Sequence, residues 1–123
     1  MSVVAELNRE LEKLDKEQGV EISAVITRSG APIAWHLPPG VSAETIATLS
    51  ATIFGASEVI FTGSGWDKPF KVSIESSPSG AFITRSLGRK AILVLMSKKL
   101  ELAELDKKAI EAEVKIREVM QNE

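Results

Sequence analysis

The 123-residue chain predicts a mixed α/β (α+β) domain, a five-stranded antiparallel sheet between helices in the order α-β-β-α-β-β-β-α. Three observations carry that expectation. Charged, one-faced amphipathic helices stand at both termini, and five short runs with strand patterning are separated by turn residues. Between the second and third runs, Val41 to Gly65 holds only two charges, Glu44 and Glu58.

Residues 2–18 place Val3, Val4, Leu7, Leu11 and Leu14 at helical spacing with acids and bases opposite, and Gly19 ends the pattern. In residues 20–28, Ile22, Ala24 and Ile26 alternate with Ser23, Val25 and Thr27 as a first strand. Ser29-Gly30 reads as a tight hairpin turn into a second strand over 31–37, where Pro32 cannot donate to a ladder and so predicts a sheet edge. Pro38-Pro39-Gly40 then breaks the sheet.

Ser42 suits an N-cap, Glu44 favours the helix dipole, and Gly63 is a candidate terminating glycine, which predicts a helix of about 20 residues and about 30 Å. At the helical angle it shows two apolar stripes. One is Ile46, Leu49, Ile53, Ala56 and Ile60; the other is Ala43, Ala47, Ala51, Phe54 and Phe61. The first is assigned to the sheet-facing core (Ile46, Leu49, Ile53, Ile60). The second, whose small residues recur every fourth position, is assigned to a close helix–helix approach with a second copy. A central helix of a monomer, covered by a terminal helix, is the competing reading.

Phe70, Val72 and Ile74 alternate with Lys71, Ser73 and Glu75 as a third strand, 77–80 form a turn, and 81–87 make a fourth strand. Gly88-Arg89 turns into the fifth, residues 90–96. Its run AILVLM lacks polar alternation and predicts a central strand covered on both faces. Leu102, Leu105, Ala109, Ala112, Ile116 and Val119 define a last helix over 101–121. Two terminal helices can cover one sheet face and the central helix the other, so its outer surface has no intrachain partner.

At 44% apolar and 26% charged content, residues 1–123 read as a single domain without linker or repeat. A net charge of −2 and a pI near 5.5, with bases interleaved among acids, give no footprint for nucleic acid. The absence of cysteine removes disulfides, thiolate metal sites and a cysteine nucleophile. The N-terminal residues lack a secretory pattern, so the cytoplasm is expected. The threonines, serines and Glu58 of the central helix argue against membrane insertion.

His36 is the only histidine, so a histidine metal cluster is ruled out and a Ser-His-Asp arrangement has one support. An exposed strand histidine is the simpler reading. Gly63-Ser64-Gly65 lacks the preceding strand and the Lys-Ser or Lys-Thr ending of a phosphate loop and reads as a flexible connection. Arg28, Arg85 and Arg89 fit surface ion pairs better than phosphate chemistry. Catalytic, cofactor and metal sites are therefore expected to be absent. Trp35 and Trp66 are candidate partner contacts, with core or interface padding as the alternative.

The order of elements, together with Arg28-Ser29-Gly30 after the first strand, the Leu37-Pro38, Gly40-Val41 step, the alanine-rich central helix and the hairpin FITRSLGRKAILVLM, resembles the roadblock (dynein light chain) family, including its prokaryotic MglB-like small-GTPase regulators. The resemblance covers nearly the whole chain. It implies a roadblock/profilin-like sandwich and a homodimer in which central helices pair and third strands meet. It also implies work as a scaffold or regulator of Ras-like small GTPases, or as an adaptor docking a peptide of a motor or signalling complex. A small-ligand sensor domain is a further reading. Interface positions carried over are Ala47, Ser50, Ala51, Phe54, Glu58 and Phe61 on the helix and Phe70, Val72 and Ile74 on the third strand. The chain departs from the family in Ser29, where aspartate is usual, and in its two tryptophans.

Overall fold

The computed structural model describes residues 2–76 and 78–121, and its elements follow the expected order. They are α1 (Val3–Gln18), β1 (Ile22–Thr27), β2 (Pro32–His36), α2 (Ala43–Gly63), β3 (Lys71–Glu75), β4 (Ala81–Ser86), β5 (Ala91–Ser97) and α3 (Leu102–Gln121). The strands form one antiparallel sheet in the order β2-β1-β5-β4-β3, which puts the apolar run of β5 at the centre and Pro32 on an edge strand.

One face of the sheet is closed by α1 and α3. Leu7, Leu11 and Leu14 from α1 and Leu105, Ala109, Ala112 and Ile116 from α3 pack onto Val25, Ala34, Ile83, Leu93 and Leu95 in the larger core. Polar ties fix both helices. Asp15 Oδ2 and His36 Nε2 stand 2.8 Å apart, joining α1 to β2, and Arg85 Nε donates to Glu113 Oε1 at 2.7 Å, joining β4 to α3. His36 is thereby a tether between helix and edge strand.

The other face carries α2 alone. Its smaller core contains Ala24, Ile26, Ile92 and Val94 from the sheet with Ala47 and Phe54 from the helix. The helix passes against the β1–β2 turn, and that contact requires glycine. Gly30 has φ +97°, and a Cβ there would stand 3.2 Å from the Thr48 Cα. The turn itself is a three-residue loop, not the two-residue hairpin expected. Thr27 and Ala31 close it through the Thr27 N–H to the Ala31 carbonyl, and Gly30 takes the left-handed position.

The end of α2 also differs from expectation. Gly63 is the last helical residue, and Gly65, with φ +78°, is the terminator. The Trp66 N–H reaches the Phe61 carbonyl and the Gly65 N–H reaches the Thr62 carbonyl, while the Phe61 and Trp66 rings meet edge-on at 5.8 Å. Those paired bonds with an apolar contact across them make a glycine-terminated helix cap. Residues 63–65 are thus a defined helix end instead of a flexible connection.

Two expectations about stability follow. Burial pushes the Glu113 carboxyl up, but hydrogen bonds from Arg85 and Arg117 outweigh it and leave the group below its ordinary value of 4.5. A folded pKa below the unfolded one adds stability that is full above the unfolded value and lost as pH falls through the folded value. The advantage of the wild type over Glu113→Gln is therefore expected to be largest near neutrality and to shrink from about pH 5 downward, measured by urea unfolding across pH. Separately, Thr84 is fully buried between Val94 and Val72, and its hydroxyl finds no hydrogen-bond partner among the described residues. Thr84→Val keeps the shape and removes that group, so a gain of about 1 kcal/mol in the same measurement is expected.

Candidate functional site

The candidate site is a docking face built by the outer side of α2 and the neighbouring edge of the sheet. Among the described residues, α2 is the one helix long and apolar enough to cross a bilayer, yet only 22% of that apolar stretch is buried in the protomer. It lies against the sheet, and what it leaves uncovered is apolar. Leu49 is 57% exposed, Ile60 67% and Val59 70%.

That exposure reverses the expected orientation of the helix. Leu49 and Ile60, assigned to the sheet-facing core, point outward; Ile46 is half-buried and packs on the smaller core, and Ile53 is half-buried. The residues that face the sheet are Ala47, Ser50 and Phe54, which are buried within the protomer, with Ala51 half-buried against the same core. All four are among the nine positions that the sequence assigns to the dimer interface. The physical reason is the close passage of the helix over Gly30, since small side chains let the α2 backbone approach the turn, and Phe54 is the one large side chain of α2 that is fully buried in that core.

Glu58, also assigned to the interface, is held inward. Both its carboxylate oxygens accept from Arg28 Nη1 at 3.0 Å. The same guanidinium donates to the Gly88 carbonyl and the Ser86 hydroxyl and lies over the Phe54 ring. Glu58 is the only charged residue between Glu44 and Asp67, and this isolation in an apolar helix is the sequence signal for a specific partner.

The two sheet edges are unequal. At β2, Pro32 lacks an N–H and the Trp35 N–H is taken by Asn8 Oδ1 of α1 at 3.1 Å. That edge is blunted. At β3, which pairs only with β4, Ser73, Ile74 and Glu75 are exposed, and Phe70 is 63% exposed with Arg85 against its ring. Lys71 is held on the α3 side by Asp106 at 3.0 Å, whereas Val72 is half-buried against the smaller core beneath α2.

Beside this edge, the part of the sheet that α2 does not reach forms a groove of about 710 Å³, lined by Ile22, Met96, Phe82 and Ile74 with Pro38 and Val41 at its side. Neither tryptophan lines it. Trp35 is 46% exposed on β2, and Trp66, which is exposed, caps α2 next to Phe61, itself half-buried. The interface positions that remain accessible are therefore Phe70 and Ile74, with Phe61 in part, and Leu49, Val59 and Ile60 join them. Among the described residues no group of three His, Asp or Glu side chains is placed to hold a metal ion.

The orientation of α2 gives a direct test. Phe54→Ala is expected to lower protomer stability by about 3–5 kcal/mol, whereas Leu49→Ser and Ile60→Ser should each stay within about 1 kcal/mol, read by denaturant unfolding in dilute solution.

Comparison with known proteins places this geometry. Two uncharacterised proteins of Methanocaldococcus jannaschii are each 29% identical over 96 residues, 78% of this chain and 83% of theirs. A structure described as MglB with a tetrameric arrangement is similar with a TM-score of 0.85 and 18% identity, over 99% of this chain and 93% of that one. The gliding protein MglB of Thermus thermophilus is similar at 0.85 and 17% identity, over 100% and 94%. At such identities it is the fold that is shared. Residues 7–97 match the model of the Roadblock/LC7 domain, and the chain belongs to that family.

Proposed function

We propose that the protein is a non-enzymatic, cytoplasmic homodimer that binds and regulates a Ras-like small GTPase. The observation that carries this reading is the contiguous surface of α2 and β3, where Leu49, Val59 and Ile60 lie exposed beside an open strand edge. An apolar helix face next to an open strand edge suits a second copy of the same chain, because a twofold axis brings like strands together antiparallel and like helices side by side. The MglB described as tetrameric shares this fold, which supports self-association. A GTPase then meets a broad rigid surface and has its switch segments ordered by contact, without donation of a catalytic group. The family resemblance supports this choice of partner.

A peptide-docking reading rests on a different observation, the apolar groove that opens beside β3. An extended segment could add to that edge and place alternate side chains in the groove.

Sedimentation of the wild type at micromolar concentration should give a dimer, and Leu49→Ser combined with Ile60→Ser a folded monomer. Pull-down of candidate small GTPases loaded with GDP or a GTP analogue should show recovery that depends on the nucleotide. Equal recovery in both states, or none, would overturn GTPase regulation. Capture of an unstructured peptide segment without any GTPase would favour the adaptor.

A further inference from the structure

Arg28 follows the last residue of β1 and, though its side chain is partly exposed, commits all three of its side-chain nitrogens to bonds within the protomer. Nε donates to the Gly88 carbonyl at 3.0 Å, Nη1 to both oxygens of Glu58 at 3.0 Å, and Nη2 to the Ser86 hydroxyl at 2.9 Å. Its guanidinium carbon stands 5.4 Å from the centre of the Phe54 ring. One residue thus ties together the β1–β2 turn, the β4–β5 turn and α2. The β4–β5 turn is gripped from the other face as well, by Arg117 Nη2 on the Ser86 carbonyl at 3.1 Å. Of these two arginines, Arg28 is the one bonded to α2.

The second half of α2 needs such a tie. Its buried residues are Ala47, Ser50 and Phe54, so nine residues, 55–63, continue beyond the last of them. At 1.5 Å per residue that length is about 13 Å, and a tilt of about 10° at Phe54 would displace its end by about 2 Å. Val59 and Ile60 ride on this segment. Packed apolar surfaces do not tolerate displacements of that size.

We propose that Arg28 is a positioning residue for self-association: through Glu58 it fixes the angle of α2 over the sheet, and with it the placement of the outward stripe relative to the β3 edge, while contacting no partner itself. The proposal rests on the reading that α2 and β3 form the surface between two copies. Arg28 sets that surface by spreading three nitrogens over Glu58, Gly88 and Ser86 with its guanidinium over the Phe54 ring, a role that the single ammonium of lysine cannot fill.

The test uses the full chain with Arg28→Met, Arg28→Lys and Arg117→Met. Dimer dissociation constants come from sedimentation equilibrium, and amide hydrogen exchange is followed by peptide mass spectrometry below the dissociation constant. Arg28→Met is expected to weaken the dimer by about tenfold or more and to speed exchange selectively in residues 55–63, with Arg28→Lys close behind. Arg117→Met, acting on the same turn from the opposite face, should leave both readings within about twofold of the wild type. If Arg28→Met does not fold, Glu58→Gln breaks the same ion pair and should show the same selective pattern. A dissociation constant unchanged in folded Arg28→Met or Glu58→Gln, or exchange that quickens evenly along the chain, overturns the positioning role. A wild type that is monomeric at all concentrations overturns the self-association reading and the proposal with it.

Discussion

A single helix has to cover one whole face of a five-stranded sheet, and most of this structure follows from its inability to do so. A helix is about 10 Å across, whereas a strand of five or six residues runs about 17–20 Å and five strands span about 24 Å. Laid at the end of the sheet that bears the β1–β2 and β4–β5 turns, α2 leaves the opposite end bare, and the row Ile22, Met96, Phe82 and Ile74 lines a groove. The helix also cannot be polar on its outer side if that side is to meet a partner, and its composition reflects this with two charges in 25 residues from Val41 to Gly65.

The opposite face has two helices for the same area and is closed. The difference appears in the cores, since leucines of α1 and α3 face β-branched and leucine residues of the sheet on that side, while the α2 side relies on Phe54 among alanines and branched strand residues. Closure extends to the margins, because α1 also blunts the β2 edge through Asn8. The fuller shielding of the sheet lies on one face and one edge. The remaining face and edge adjoin, and that adjacency leaves a single continuous uncovered surface, the one to which the proposed self-association is assigned.

Much of this was legible in the sequence because burial on one or two sides leaves a period. The AILVLM run marked the central strand, Pro32 marked an edge, and Leu7, Leu11 and Leu14 marked a helix with one buried face. The rotation of α2 was not legible. A helix apolar on both sides gives no periodic signal about which side meets the sheet, and size alone misleads, because the deciding contact is the approach of Thr48 to Gly30, distant in the chain. The partnership of Arg28 with Glu58 across 30 residues was likewise beyond local pattern, although Glu58 stood out as the one charge in an otherwise neutral stretch. The helix terminator was misplaced by two residues because Gly63 and Gly65 are equivalent by composition and only Gly65 takes the left-handed conformation.

The cap at the end of α2 gives the molecule a built-in optical gauge. Trp66 is anchored by its backbone N–H on the Phe61 carbonyl, at the joint between the apolar helix and the edge strand β3, so its indole reports on the spot where helix and strand would both meet an arriving chain. Trp35 sits on the far, blunted margin, so single-tryptophan variants that keep one indole or the other distinguish arrival at one border from arrival at the other without any attached dye.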